Sequence, residues 1–403
     1  MTRSHLTDWR SEFPILATCS YLISNSLGAM PARVYEALRT YADTWATLGV
    51  RAWGTPYADQ PSWWELKGAV GDKIAPLMGA PAGSVLVHEN ASIANSILLS
   101  ALDWDVAGRD KVVCTDQDFP SDVYTLRAMI PPHYQVEMVR SHDGITVDTD
   151  ALLQAIDERT RLVSISHVLF RSAYILPLRQ IVEKAHAVGA QVLANGYHSV
   201  GIIPVDVTAD GVDFYIGGTL KWLCGGPGGV FLYVRPDLLP ALRPRVTGWF
   251  AHQRPFEFDI ERFDLREDRY RLANGTPPMA ALYAIQPGVE IIAEVGVAAI
   301  RANSIRQTER LVQLADAAGY RVVSPRDPAV RGGTVTVQPP HAYEVSRELL
   351  ARQIVIDYRE GAGIRIAPHF YTTDDEIHAA FAAIADILAT GAWQAHTRRD
   401  FVT

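Results

Sequence analysis

Lys221 stands in DFYIGGTLKWLCGGPGG (213–229), among uncharged and mostly small or apolar neighbours. A lysine so placed is partly desolvated, which lowers its pKa and favours the neutral amine that condenses with a carbonyl to a Schiff base. Most lone lysines near a strand end simply extend to water, so the reading depends on what accompanies this one. Asn90-Ala91-Ser92 opens a helical pattern at 92–102. A helix start offers a phosphate backbone N–H groups, the positive end of a dipole and, here, a hydroxyl; Ser92 could equally serve as an N-cap. Phe119, in DFPSD (118–122), can stack on a flat ring, although a Phe before Pro is more often core. Arg365, in GIRIAPHFYTT (363–373), follows a Gly-rich turn and can offer its planar fork to a carboxylate. A Schiff-base amine, a phosphate cradle, a stacking ring and a carboxylate ligand are the parts that pyridoxal phosphate (PLP) chemistry on an amino acid requires.

The elements that must position these residues are legible as a rhythm. VLVH (85–88), KVVC (111–114), RLVSISHV (161–168), QVLA (191–194), DFYIG (213–217) and GVFLYV (229–234) are short apolar runs with little alternation, the pattern of strands buried on both faces of a mostly parallel sheet. SIANSILLSAL (92–102) and LRQIVEKAHAVG (178–189) carry helical spacing between them. This predicts an α/β domain whose ligands sit at the carboxyl ends of the strands. A helical stretch over 278–318 then leads to TVTVQ (334–338), VIDY (355–358) and GIRIA (363–367), the pattern of a smaller α+β domain.

The chain has 403 residues, 48% of them hydrophobic and 20% charged, enough for one large and one smaller domain. A net charge of −8 and no Lys/Arg cluster exclude a nucleic-acid surface. Cys19, Cys114 and Cys224 are too scattered for a disulfide framework or a CxxC site, so a reducing, cytoplasmic location is expected, and no metal. No run reaches the ~18 apolar residues of a spanning helix, and the charged N-terminus does not read as a signal peptide.

The ordered landmarks YLISNSLGAMP (21–31), RAW (51–53), FPSDVY (119–124), FRSAYI (170–175), GYHSVGIIPVDV (196–207), GWFAHQRPFEF (248–258), NGTPP (274–278), DYRE (357–360) and RIAPHFYTT (365–373), with the Lys221 segment, resemble those of kynureninases, especially bacterial ones, within the class V aminotransferase superfamily. The resemblance implies a fold-type I PLP enzyme: a mostly parallel seven-stranded sheet in a large domain (51–290), a linking helix and small α+β domain (291–403), and an N-terminal segment (1–50) that joins the small domain. It makes Lys221 the Schiff-base lysine and general base, and Phe119 the stacking ring. Ala91 and Ser92 go to the phosphate; Asp122, Ser172, His198 and Thr219 to the cofactor's surroundings; Arg365, Asn25 and Trp53 to the substrate. Trp249 and Thr276 would complete the neighbouring subunit's site, which implies a homodimer.

Two departures stand out. Asn195 falls where the family has the aspartate that pairs with the pyridinium nitrogen, and Leu220 where it has a tyrosine. A carboxylate makes the ring a strong electron sink through a charge-assisted hydrogen bond, whereas a neutral amide does so more weakly. Leu169 and Phe170 replace a polar pair, and Ala91 and Ala94 replace polar phosphate-loop residues. The expected activity is PLP-dependent, kynureninase-like cleavage at the side chain of an α-amino acid (Cβ–Cγ or similar), on a substrate or by a reaction that differs from kynureninase. A class V aminotransferase, epimerase or desulfurase-like enzyme, and a PLP-binding protein with impaired catalysis, are the competing readings. Trp53, Tyr57, Trp63, Trp64, Trp249, Phe250 and Phe256 could wall an aromatic pocket, or be core and interface residues.

Overall fold

The computed structural model describes residues 5–396. After a two-residue strand, β1 (Ser20–Tyr21), seven strands build the main sheet: β2 (Val85–His88), β3 (Lys111–Thr115), β4 (Gln135–Val139), β5 (Thr160–Ser166), β6 (Gln191–Asn195), β7 (Phe214–Gly218) and β8 (Val230–Val234). Their order is β2-β8-β7-β6-β5-β3-β4. All pairs are parallel except those of β8, which runs against both β2 and β7. Every residue of β2, β3, β7 and β8 is buried, as unbroken apolar runs predict. Each Val, Leu or Ile removed from water there contributes roughly 1.5–3 kcal/mol. The main-sheet strand absent from the sequence reading is β4: QVEMV alternates exposed and half-buried positions at the sheet's edge, so it lacks the apolar run used to find the others.

The reversal at β8 positions the site. Parallel neighbours need long crossovers, but antiparallel ones can be joined by a loop. The segment from Thr219 to Gly229 therefore turns back at the carboxyl edge of the sheet, with Lys221 on it. Helices Ala91–Ala101 and Pro120–Met129 begin at the same edge, just after β2 and β3.

A second, antiparallel sheet has the order β12-β13-β10-β9, formed by β9 (Arg321–Val322), β10 (Val335–Gln338), β12 (Asp357–Arg359) and β13 (Gly363–Ile366). Between them, β11 (Ile354–Val355) pairs in parallel with β1. The VIDY run is thus split between two sheets. Helix Asp374–Thr390 is started by a capping box between Thr373 and Glu376, and Arg10 bonds Glu376 at 2.7 Å, fastening the N-terminal segment to it. The helical stretch expected at 278–318 is three helices, Met279–Ala284, Gln286–Val295 and Val297–Ala317, with an 81° bend at Gly296, whose φ is +85°.

Candidate active site

The carboxyl edge of the main sheet opens into a cleft of about 700 Å³. Lys221 lines it, and its Nζ lies 2.7 Å from His198 Nε2, 5.3 Å from the Tyr197 ring centre and 5.8 Å from that of Phe119. Burial, reinforced by the charges of Arg365 and Arg359, lowers the Lys221 pKa to about 7. At neutral pH a large share of this amine is unprotonated, as a Schiff-base lysine needs. Burial and then the Lys221 charge push His198 well below the ordinary histidine range, so its ring is neutral. The loop is held by the N-terminal segment: Gly28 N donates to the Leu220 carbonyl at 2.7 Å, and a Cβ on Gly28 would stand 2.2 Å from the Lys221 carbonyl oxygen. Only glycine allows that approach.

Asn195, the last residue of β6, donates through Nδ2 to Asp122 Oδ2 at 2.6 Å and accepts through Oδ1 from Tyr197 N at 2.9 Å. Asn95, one turn into its helix, donates to the other Asp122 oxygen at 3.0 Å. Asp122 is the first-turn acid of helix Pro120–Met129. Burial raises its pKa to about 6, and the Asn195 bond opposes that rise. A buried carboxylate thus stands one hydrogen bond from Asn195. Asp118 looks similar in sequence but is a staple: its carboxylate accepts from Thr115 N and Oγ1 and from Ser166 N, tying the loop to β5.

At the cradle, Asn90, not Ser92, caps the helix, accepting from Ile93 N at 3.0 Å. Ser92 keeps its hydroxyl exposed on the cleft, and the Ala91 and Ser92 N–H groups belong to the helix's unpaired first turn. Phe119 is 42% exposed beside Lys221 and meets Phe170 edge to face at 5.3 Å. On the opposite wall Arg365 is buried; its Nε donates to Asp357 Oδ1 at 2.8 Å and its Nη1 to the Phe170 carbonyl at 2.6 Å.

The cleft thus gathers Ala91, Ser92, Phe119, Asp122, Asn195, His198, Lys221 and Arg365. Six residues singled out with them lie elsewhere. Thr219 turns inward, its hydroxyl bonding the carbonyls of Gly226 and Gly229, so it shapes the Lys221 loop from behind. Ser172 is fully buried and accepts from Tyr174 N within its own turn. Asn25 is fully buried with no hydrogen-bond partner for either amide atom among the described residues. Trp53 packs edge to face on Trp63 and Trp249, at 5.5 and 6.2 Å, in an aromatic cluster outside the cleft. Trp249 belongs to that cluster, and Thr276 is exposed away from the cleft lining. The sequence reading did not single out Asn95, Ser26, Asp357 or Arg359. A signal existed for one of them: in DYREGAGIR, Asp357 stands across a Gly-rich turn from Arg365 in strand register, and β12 and β13 pair the two directly.

These groups fit PLP: a desolvated lysine, an aromatic face, a helix start for the phosphate, and the acid–amide pair Asp122–Asn195 for a ring nitrogen. The comparisons agree. The class V aminotransferase family pattern matches residues 20–383. The chain is 31% identical to the kynureninase of Pseudomonas fluorescens over 402 residues, 96% of this chain and 94% of the relative. It is equally 31% identical to the kynureninase of Burkholderia pseudomallei strain 1106a, over 97% and 94% of the two chains. Among solved structures, an apo cysteine desulfurase from Thermococcus onnurineus NA1 superposes with a TM-score of 0.85 at 18% identity, covering 96% of this chain and 99% of that one. C-DES, in a lysine-to-alanine mutant with glycine covalently linked to its PLP cofactor, gives 0.81 at 20% identity, covering 94% and 99%. The chain therefore belongs to the class V aminotransferase family, as a kynureninase-like, PLP-dependent enzyme.

Proposed function

We propose that this enzyme, with PLP held through Lys221, cleaves the side chain of an α-amino acid at Cβ–Cγ or its equivalent, as kynureninases do, on a substrate other than kynurenine. The observation that carries the reading is Lys221 itself: a buried amine with its pKa near neutrality, 2.7 Å from a neutral imidazole, in a cleft lined also by a helix start and two guanidinium groups. When bound, PLP supplies an aldehyde that joins amines and a ring that takes up the electron pair released at Cα. Lys221 takes and returns the Cα proton, since a base near its own pKa at working pH both accepts and donates readily. His198 orients the amine, Asp122 with Asn195 faces the ring nitrogen, and Ser92 with the first-turn N–H groups holds the phosphate. Replacement of the family's aspartate, tyrosine and polar pair by Asn195, Leu220 and Leu169-Phe170 supports the altered substrate.

None of the three cysteines lines the cleft, so the chain offers no thiol of its own for sulfur transfer there. Aminotransferase and epimerase outcomes share the Cα proton step, and the products separate them. The test is a visible spectrum of PLP-loaded protein, followed by amino acids, kynurenine and 3-hydroxykynurenine included, with products identified by mass spectrometry. A cofactor band absent from Lys221→Ala, and cleavage of an amino acid other than kynurenine, are expected. Anthranilate and alanine from kynurenine would overturn the altered substrate; no band after PLP loading would overturn the reading altogether.

The enzyme works as a homodimer under this proposal, with Trp249 and Thr276 completing the site of a second copy. Phe256, Phe258, Ile260 and Phe263, following Trp249, are 50–98% exposed and form an apolar surface that such a partner would cover. Sedimentation at micromolar concentration reads the mass directly. A cytoplasmic location accords with three free cysteines and with no single helix among the described residues long and apolar enough to cross a membrane.

A further inference from the structure

Two guanidinium groups face one end of the cleft, and they are not equivalent. Arg365 is 2% exposed and closed on Asp357 by Nε and Nη2; Nη2 also reaches Ser26 Oγ at 2.9 Å, and Nη1 the Phe170 carbonyl at 2.6 Å. Of the five N–H donors of a guanidinium, these contacts leave a single Nη1 hydrogen. Asp357 is buried with Arg365, so the pair is electrically neutral.

Arg359 lines the same end of the cleft with its side chain 28% exposed. Its contacts are weak: Asp357 Oδ2 at 3.2 Å, Ser26 Oγ at 3.4 Å and the carbonyl of its neighbour Tyr358 at 3.1 Å. That same Asp357 oxygen is already held by Arg365 and by Ser26 Oγ at 2.5 Å. One carboxylate therefore stands between two cations, and the excess positive charge at this end of the cleft resides on Arg359.

We propose that Arg359 supplies the charge that draws the substrate's α-carboxylate, while the Arg365–Asp357 pair is a neutral, rigid template that orients it through its remaining N–H. The assignment rests on the amino-acid reading above and sharpens it. One excess cation matches one carboxylate, so these groups do not balance a second acid on the substrate. Arg365 and Arg359 both hold the nearby Lys221 amine toward its neutral form, but Asp357 opposes the Arg365 charge there and Arg359 has no such partner of its own among the described residues.

The experiment is a spectral titration of PLP-loaded protein with L-alanine and, in parallel, L-alaninamide, the same amine without a carboxylate, in the native enzyme, Arg359→Gln and Arg359→Lys. A charge-assisted contact of ordinary strength predicts that Arg359→Gln raises the half-saturating L-alanine concentration about 10- to 100-fold and changes that for L-alaninamide less than about twofold. Arg359→Lys, which keeps the charge and loses the fork, recovers most of the loss. The midpoint of the band's pH dependence moves upward in Arg359→Gln and stays near native in Arg359→Lys. Equal effects on both probes, or none, would overturn the proposal, as would an Arg359→Lys variant as weak as Arg359→Gln. A native enzyme whose band answers to neither probe would overturn the amino-acid reading with it, whereas a response lost equally with and without the carboxylate would leave that reading standing.

Discussion

The two walls of the cleft treat buried ionisable groups in opposite ways. On the sheet side, Lys221, His198 and Asp122 are desolvated without full ionic partners, and burial moves each toward its neutral form. On the β12–β13 side, burial also pushes Asp357 upward, but the hydrogen bonds and charge of Arg365 outweigh it and hold the carboxylate below its ordinary range. An under-paired group is poised to exchange protons, whereas a fully paired one is fixed in place and charged. Under the proposed function, the cleft combines a reactive wall with a positioning wall.

The largest way to break this contrast is to remove the reactive amine. Lys221→Ala should lower turnover by about 10³-fold or more, because nucleophilic attachment and the proton step are lost together. Urea unfolding of the apoprotein should show no loss of stability beyond the packing of the deleted stem. A variant that kept more than a tenth of native turnover would place the chemistry elsewhere.

On the positioning wall the expected effect falls first on folding. Asp357→Ala leaves Arg365 buried without its counter-charge, a defect that costs roughly 3–5 kcal/mol when one member of a buried pair is deleted. A shift of the urea midpoint with unchanged slope measures it. If the variant unfolds as the native chain does, the pair is not the rigid template described here. The replacement Asn195→Asp probes the reactive wall more gently. It exchanges the Nδ2 donor to Asp122 for a second acceptor, costing the apoprotein about 1–3 kcal/mol at neutral pH. PLP binding should reduce that cost, since a protonated ring nitrogen would give the two carboxylates a shared donor. An equal cost with and without PLP would show that this pair does not face the ring.

These contrasts also explain what could be read from the sequence. Strands β2, β3, β5, β6, β7 and β8 announced themselves as apolar runs, and Lys221 lies in the loop just after one of them, where local context and chemistry coincide, whereas Asn195, the last residue of β6, stood out only through the family resemblance. The positioning wall is assembled from the chain's two ends, Ser26 meeting Asp357 and Arg365 across more than 330 positions, and no local pattern marks Ser26. Hydroxyl orientation, too, is not legible from sequence position. Thr219 stands two residues from Lys221 yet faces its own loop, because the carbonyls freed by the Gly226–Gly229 turn need a donor. Trp53, Trp63, Trp64, Trp249, Phe250 and Phe256 share a cluster rather than the cleft, since large rings gain more by packing on one another than by lining a wet wall.

The smallest effect tests the contrast through pH alone. Asp122 has its folded pKa raised from 3.8 to about 6. The stability it contributes is full below pH 3.8 and is lost as pH rises through about 6. Asp357 has the opposite sign: its folded pKa is lowered, so its contribution is present above 3.8 and is lost as pH falls through the folded value. Lys221, lowered from 10.5 to about 7, contributes its full stability above 10.5 and loses it progressively as pH falls to about 7. In apoprotein melting curves, Asp122→Asn should therefore flatten the decline between pH 4 and 6 and leave the alkaline limb alone, while Lys221→Met should flatten the rise between pH 7 and 10. If Asp122→Asn instead flattened the loss of stability on acidification below pH 3.8, Asp122 would be a paired carboxylate like Asp357, and the two walls would differ in position but not in chemistry.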